Sequence, residues 1–262
     1  MKLTLETNGF ETEYIRFGKE GAQPMLVLPG LSLLSVLTFE EGIVSAYGCY
    51  ARDRDVILPD RRKQLPDGYT LDDMADDTAD FLDALGIKNA DVMGVSQGGM
   101  IAQVLAVKRP DLVRSLALCS TSARLPDESK KTLGGWITAA KQGDADELVR
   151  AFAENVYSPE YYEKYKAGIL GMARLTGENE LERFAALAKA TEGFDLSDKL
   201  SEIKAPSKVF AGSEDRMFGT ECQRELSDGL GCELCVFGGY GHAVYDEMQG
   251  FHDKVNEFFH SV

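Results

Sequence analysis

The sequence predicts an α/β fold, in which a mostly parallel β-sheet is covered by helices on both faces and is interrupted by a helical insertion. Short apolar strands alternate with helical patterns from Met25 to Cys119, the order that builds parallel strand–helix–strand units. Between about Thr121 and Phe194 the chain has helical patterns but no strand pattern. The alternation resumes after Pro206, so the insertion is expected to lie between two strands of the sheet.

The first elements are predicted to be a hairpin, two buried strands and two helices. Asn8-Gly9 separates two short apolar runs, and this dipeptide suits a two-residue turn with positive φ between antiparallel strands. Thr70 is a good N-cap for a helix with an apolar stripe, and Gly86 supplies the C-terminal stop of that helix. The other predicted elements here are strands at residues 25–28 and 56–58 and a helix around residues 39–50.

The most informative stretch is Gly94-Val95-Ser96-Gln97-Gly98, which ends a short apolar run and opens a helical pattern. The Gly-x-Ser-x-Gly spacing is what a serine nucleophile needs on a sharp strand-to-helix turn. Glycines two positions either side of Ser96 let the strand and helix backbones pass closely beside a strained residue. The pattern alone is weak evidence, and its place between a strand and a helix is what identifies Ser96 as the predicted nucleophile.

The helical insertion is expected to form a lid over the core. Its predicted helices lie around residues 130–142, 144–156, 160–175 and 179–189. Beyond it the sequence predicts strands at residues 209–211 and 234–237, a helix at residues 221–230 and a final helix from Val244 onward. The predicted organisation is therefore a core of residues 1–121 and 195–262 and a lid of residues 122–194.

A serine nucleophile needs a base, and the chain has three histidines that could provide one. His252 and His260 lie in the predicted C-terminal helix, where solvated side chains are expected. His242 instead follows the last predicted strand in a glycine-rich loop. Ser96 and His242 therefore both lie at carboxyl ends of strands, where open α/β sheets place their sites, and His242 is the predicted base.

The acid that orients the histidine is expected on another loop at the same edge of the sheet. Asp215 follows the predicted strand at residues 209–211 and is the predicted acid, with Glu214 as the alternative. Asp228 and Asp246 fall in helical patterns and are expected to be solvated charges. The order of nucleophile, acid and histidine along the chain matches one hydrolase architecture and excludes the chymotrypsin and subtilisin orders.

The sequence resembles the α/β-hydrolase superfamily over almost its whole length. The residues that carry the resemblance are Met25-Leu26-Val27-Leu28-Pro29-Gly30, Gly94-Val95-Ser96-Gln97-Gly98-Gly99, residues 109–118, Ile203-Lys204-Ala205-Pro206 and Gly241-His242. The chain is most similar to small bacterial esterases, enol-lactonases and cofactor-free peroxidase-type enzymes. The resemblance implies an eight-stranded, mostly parallel sheet with helices on both faces and a helical lid after the sixth strand.

In that superfamily two backbone N–H groups bind the oxyanion of the reaction. The resemblance assigns these groups to Gln97, which follows the nucleophile, and to Leu31 in the loop after the third strand. Pro29 stands where the family usually has a histidine. The second donor is therefore expected from Leu31, with Ser32 as the alternative.

The composition argues against several kinds of partner and points to no cofactor or metal. The net charge of −15 would repel nucleic acid and an anionic membrane surface. The chain opens without a secretory leader pattern and has no apolar run long enough to span a bilayer. Because the five cysteines are an odd number in a chain without such a leader, a cytoplasmic protein is expected.

The predicted function is that of a serine hydrolase that cleaves a small ester, lactone or thioester. Ser96 would attack the carbonyl, His242 would take its proton and Asp215 would hold the imidazole, and water would then release the acyl-enzyme. The same residues also suit a C–C bond hydrolase, a perhydrolase or an amidase. A slow-turnover ligand sensor is the alternative from another class. A small-molecule substrate is expected, and the sequence leaves its identity and the oligomeric state open.

Overall fold

An eight-stranded sheet organises residues 2–262, the part of the chain that the computed structural model describes. Its strands are β1 (Lys2–Thr7), β2 (Phe10–Gly18), β3 (Gln23–Leu28), β4 (Arg54–Pro59), β5 (Ala90–Val95), β6 (Val113–Cys119), β7 (Ser207–Gly212) and β8 (Glu233–Phe237). Their order in the sheet is β1-β2-β4-β3-β5-β6-β7-β8. The β1–β2 and β2–β4 pairs are antiparallel and the other pairs are parallel. The predicted α/β class with a mostly parallel eight-stranded sheet is confirmed.

Helices pack on both faces of this sheet. They are α1 (Glu40–Ala46), α2 (Leu71–Ala84), α3 (Gln97–Lys108), α4 (Asp127–Lys141), α5 (Ala145–Val156), α6 (Pro159–Gly171), α7 (Glu178–Lys189), α8 (Gly219–Leu230), α9 (Val244–Glu247) and α10 (Phe251–Ser261). Successive strand residues point to opposite faces, so Val92 packs in one core with α2 and α3 while Met93 packs in a second core with α10. Each central strand is therefore buried on both sides, as its continuous apolar run predicts.

The local signals at the start of the chain correspond to the observed elements. Asn8 and Gly9 form the turn of the β1–β2 hairpin, with φ of 45° and 84°. Thr70 caps α2 reciprocally, because its hydroxyl accepts a hydrogen bond from the Asp73 N–H and the Asp73 carboxylate accepts one from the Thr70 N–H. Turn and cap chemistry thus set these boundaries without help from distant residues.

The stretch between β6 and β7 contains helices α4 to α7 and two short 3-10 helices, at Met172–Leu175 and Ser197–Glu202. Where this stretch leaves and re-enters the core, Arg124 and Asp195 form an isolated bridge. The prediction of one continuous helix from Val244 onward is wrong, because Gly250 adopts a φ of 81° and separates α9 from α10. None of the helices in residues 2–262 combines the length and the apolar character that crossing a bilayer requires.

Candidate active site

Ser96 lies on a sharp turn between β5 and α3, with φ of 52° and ψ of −119°. A β-carbon on Gly98 would stand 2.0 Å from the Leu28 carbonyl oxygen, and one on Gly94 would stand 2.7 Å from the Gly99 Cα. Both separations are too short for any side chain, so glycine is required where the strand and helix backbones cross. The strained turn holds the Ser96 hydroxyl at the carboxyl end of β5.

His242 joins Ser96 and Asp215 in one hydrogen-bonded chain. Its Nε2 lies 2.9 Å from the Ser96 Oγ, and its Nδ1 lies 3.0 Å from both carboxylate oxygens of Asp215. His242 is 3% exposed and Asp215 is 6% exposed, so bulk water does not compete for these bonds. When Nδ1 donates its proton to the carboxylate, Nε2 is left as an acceptor for the serine proton. The structure thus brings the three predicted residues together.

Asp215 is fixed by donors other than the histidine. Its Oδ1 accepts hydrogen bonds from the N–H groups of Met217 and Phe218 at 2.8 and 3.1 Å, and its Oδ2 accepts one from the Gln223 Nε2 at 2.6 Å. Burial alone would raise the pKa of Asp215, but His242 and the two backbone N–H groups outweigh it, and the pKa lies below its usual value. The carboxylate therefore stays ionised beside the imidazole.

Two adjoining pockets lie at or near Ser96. The inner cavity contains Ser96 and His242, has a volume of about 40 Å³ and has room for a few water molecules. The outer pocket has a volume of about 340 Å³, within the range of small-molecule sites. The residues that line both are Gly30, Leu31, Phe152, Val156 and Tyr245. The outer pocket therefore adjoins the cavity of Ser96 across a mostly apolar boundary.

Leu31 and Gln97 line the inner cavity together with Ser96. Gly30 lies directly against Ser96, since a β-carbon there would stand 3.2 Å from the serine Cβ. Within residues 2–262, the backbone N–H groups of Leu31 and Gln97 donate to no protein acceptor. Such free donors are suited to a negative charge that develops next to the serine. Ser32 lines the outer pocket rather than the inner cavity.

Arg61 supports the loop that carries Leu31. Its Nη2 donates to the Pro29 carbonyl oxygen at 2.7 Å, a contact between residues 32 positions apart. Burial lowers the pKa of Arg61 to about 10, against the opposing effect of Asp60, so the guanidinium stays charged at neutral pH. Arg183 of α7 donates to the Asp60 Oδ1 at 3.1 Å and to the Arg61 carbonyl oxygen at 2.9 Å. No sequence motif assigns Arg61 or Arg183 to the site, because their partners are distant in the chain.

The Gln97 side chain ties the nucleophile turn to the helical stretch. Its Nε2 donates to the Leu187 carbonyl oxygen and to the Thr191 Oγ1, at 2.8 Å in both cases. Gln97 is 3% exposed, and its Oε1 has no partner among the described residues. The sequence pattern concerns only the backbone of this residue, so its side-chain role was not predicted. The same holds for Gln223, whose contact with the acid depends on how α8 packs.

The two other histidines differ from each other in environment. His260 is exposed, as expected, and its Nε2 lies 2.5 Å from the Asp53 Oδ2. The expectation of a solvated side chain is wrong for His252, which is half-buried with its Nδ1 3.1 Å from the Tyr50 hydroxyl. Burial lowers the pKa of His252 to about 4. Neither histidine lines the inner cavity.

The other acids also have distinct surroundings. Glu214, the alternative to Asp215, is exposed, and so is Asp228 on α8. Asp246 is exposed as expected, but it also lines the outer pocket, where desolvation and, secondly, Glu247 raise its pKa to about 7. Within the described residues, no group of three or more histidine, cysteine or acidic side chains is placed to hold a metal ion.

The sequence is similar to known hydrolases. A family profile described as alpha/beta hydrolase fold matches residues 23–248. RutD of Rhizobium rhizogenes, which carries the name of a carbamate hydrolase, is 29% identical over 202 residues that cover 74% of this chain and 76% of the relative. RutD of Agrobacterium fabrum is 27% identical over 188 residues, which cover 69% of this chain and 70% of the relative.

Solved structures share the same architecture. MGS-M2, an alpha/beta hydrolase enzyme from a Medee basin deep-sea metagenome library, superposes with a TM-score of 0.88 at 22% identity, covering 98% of this chain and 97% of its own. The enol-lactonase from Burkholderia xenovorans LB400 superposes with a TM-score of 0.85 at 23% identity, covering 98% and 99%. At such identities the likeness concerns the fold.

Proposed function

This chain belongs to the α/β-hydrolase fold family and is a hydrolase, and from that premise we propose that it cleaves a small ester, lactone or thioester through an acyl-enzyme on Ser96. The observation that carries the proposal is the hydrogen-bonded chain from Asp215 through His242 to Ser96. A serine hydroxyl is a weak nucleophile at neutral pH. A base at hydrogen-bond distance activates it by removing its proton as the oxygen attacks.

The acyl-enzyme forms and breaks down in two similar steps. His242 Nε2 takes the proton of Ser96 as the Oγ bonds to the carbonyl carbon, and the carbonyl oxygen becomes an oxyanion. The tetrahedral intermediate expels the alcohol, enol or thiol, which takes the proton from His242. A water then gives a proton to His242 as it attacks the acyl carbon. The second tetrahedral intermediate releases the acid, and His242 returns the proton to the departing Ser96 Oγ, which restores both residues. Asp215 orients the imidazole and stabilises its charged form throughout.

The oxyanion is proposed to bind the N–H groups of Leu31 and Gln97. Two observations support this assignment: both residues line the inner cavity, and neither N–H group has a protein acceptor in residues 2–262. Leu31 is preferred to Ser32 because Ser32 lines the outer pocket. Each donor would stabilise the transition state by about 3–4 kcal/mol in a cavity without bulk water.

Residues 122–194 are proposed to act as a lid on a core of residues 1–121 and 195–262. This assignment is supported by Trp136 of α4 and Phe152 of α5, which line the inner cavity. It is also supported by the bonds from Gln97 and Arg183 that join the lid to the core. Because the inner cavity measures about 40 Å³, one substituent of the carbonyl must be small, and the rest of the substrate extends into the outer pocket.

The test is a substrate panel measured with the wild type and with Ser96→Ala. The panel contains short p-nitrophenyl esters, lactones and thioesters, together with an amide, a carbamate and a C–C cleavage substrate. Turnover of the first three classes that disappears in Ser96→Ala supports the proposal. Turnover confined to the other classes assigns one of the alternative reactions to the same residues. A folded protein that binds ligands without turning over any member is a sensor, and the proposal fails.

A further inference from the structure

Asp246 is an unpaired carboxylate in the outer pocket. It lies in α9, four positions after His242, and its side chain lines the outer pocket. Within residues 2–262 it accepts no hydrogen bond and forms no ion pair. The neighbouring Glu247 is engaged elsewhere, since its Oε1 accepts a hydrogen bond from the Ser158 N–H at 2.8 Å. Asp246 is therefore the free anion of this pocket.

The walls of the outer pocket supply no positive charge to Asp246. Among the described residues that line it there is no lysine, arginine or histidine. Lys164 lines a separate groove on the protein surface. The groups that face Asp246 from the packed elements are tyrosines, namely Tyr47, Tyr157, Tyr161 and Tyr245, and burial raises the pKa of each, followed by the effect of Asp246. Tyr47, Tyr157 and Tyr245 line the pocket themselves.

The outer pocket thus presents one carboxylate beside aromatic rings. Asp246 is exposed and opens into the pocket space. Desolvation by the surrounding protein, followed by the effect of Glu247, raises the pKa of Asp246 to about 7. A cation in the pocket would be attracted by both the carboxylate and the aromatic rings.

We propose that the outer pocket binds an ammonium group of the substrate, with Asp246 as its counter-ion and tyrosine side chains around it. The role of this ammonium site in catalysis rests on the proposed function. Binding of the ammonium group to the pocket can be measured without turnover. A substrate with a small substituent in the inner cavity and an ammonium group a few bonds from the carbonyl is then preferred. A substrate with a carboxylate in the same place is disfavoured by charge repulsion.

The binding test uses choline and its uncharged isostere 3,3-dimethylbutan-1-ol, with calorimetry on the full chain. Choline is expected to bind the wild type about tenfold more tightly than the isostere. Asp246→Asn should abolish that preference, whereas Asp228→Asn, which removes the same charge from the exposed surface of α8, should retain it. Equal binding of the two ligands by the wild type, or an unchanged preference in Asp246→Asn, overturns the proposal.

The kinetic test uses two isosteric pairs of substrates. One pair places the charge in the leaving group, as acetylthiocholine against S-(3,3-dimethylbutyl) thioacetate. The other places it in the acyl group and keeps the alcohol small, as the methyl esters of 4-(trimethylammonio)butanoic and 5,5-dimethylhexanoic acids. In at least one pair the cationic member should have a kcat/KM about tenfold higher, and this ratio should fall to about one in Asp246→Asn. The neutral member, measured in the same variant, corrects for any general effect of the substitution on the pocket.

The pH dependence of the same ratio gives an independent readout. Steps common to both substrates, such as proton transfer by His242, cancel when the two kcat/KM values are divided. The ratio should therefore rise with pH as the Asp246 carboxyl ionises near pH 7, and it should be flat in Asp246→Asn. If the neutral substrates are hydrolysed and the cationic substrates are not preferred to them, this inference fails while the proposed function stands. If none of the esters is hydrolysed and Ser96 is unreactive, the proposed function fails, and the choline measurement still decides the inference.

Discussion

The Nε2 of His242 lies 2.9 Å from the Oγ of Ser96, although the two residues are 146 positions apart in the chain. Ser96 is held by the turn between two core elements, β5 and α3. The His242 loop is held by the helical stretch, because the Ala243 N–H donates to the Val156 carbonyl oxygen at 2.9 Å. A β-carbon on Gly241 would stand 2.7 Å from the Ser158 nitrogen, so the loop packs closely there. Elements of the sheet core and of the helical stretch together therefore set the distance between Ser96 and His242.

Ser96 is predicted to be the serine that a fluorophosphonate probe labels. The reason is that His242 is placed to take its proton, which makes its oxygen nucleophilic. Peptide mapping of the labelled protein should find the probe on Ser96, and Ser96→Ala should remove it. Ser120 is a matched control, since it also has a positive φ and a buried hydroxyl, but that hydroxyl has no partner in the described structure. Labelling of Ser120, or of no residue in folded protein, would contradict the assignment.

Asp215→Asn is predicted to lower kcat by about three to four orders of magnitude. An amide nitrogen next to His242 Nδ1 would donate a hydrogen bond to it, which leaves the ring proton on Nε2, where the Ser96 proton must go. Glu214→Gln should change kcat by less than about twofold, because Glu214 is exposed. The measurement is kcat for one activated ester in the three proteins. A larger loss of kcat in Glu214→Gln than in Asp215→Asn would assign the role of the acid to Glu214.

Arg61→Met is predicted to lower kcat about tenfold with little change in KM. The substitution removes the bond to the Pro29 carbonyl oxygen and so loosens the loop that carries the Leu31 N–H. Because the Arg61 Nε is buried without a partner among the described residues, the loss of this group should not lower Tm. Arg62→Met is the control, since Arg62 pairs with Asp77 and stacks on Phe10 instead. Equal kcat in Arg61→Met and wild type would reject the positioning role.

His252 is predicted to make the protein sensitive to mild acid. Its pKa is about 4 in the folded protein against about 6.5 in the unfolded chain, so the unfolded state binds a proton first as the pH falls. The stability that its neutral form contributes is complete above pH 6.5 and is lost between pH 6.5 and 4. This loss is on the order of 2–3 kcal/mol. Urea unfolding at pH 7.5 and 4.5 should show a smaller pH effect in His252→Gln than in the wild type.

The exposed His260 provides the matched control for that experiment. His260→Gln should retain the wild-type difference between the two pH values, because its ring is open to solvent beside Asp53. The two histidines lie on the same helix, so general effects of substitution on α10 are shared. An identical pH effect in His252→Gln and the wild type would show that the burial of His252 does not control its protonation.

Residues close together in the sequence predicted most of the fold. The alternation of apolar strands and helices indicated a parallel sheet, and the turn at Asn8 and the cap at Thr70 depend only on neighbouring atoms. The Gly-x-Ser-x-Gly spacing located Ser96 because the crossing of strand and helix backbones is itself a local constraint. The break at Gly250 was missed because the apolar pattern continues on both sides of it.

The sequence by itself determined which residue types lie at the carboxyl ends of the strands, and hence Ser96, Asp215 and His242 as candidates. Only the tertiary structure decided which groups surround them. Gln223 reaches Asp215, Arg61 supports the loop of Leu31, and His252 is half-buried, all through contacts between elements. Periodicity tells which face of an element is apolar, but not which partner covers it or where the faces leave a space. Asp246 shows this clearly, because the helical pattern predicts an exposed charge but not that this charge borders a pocket.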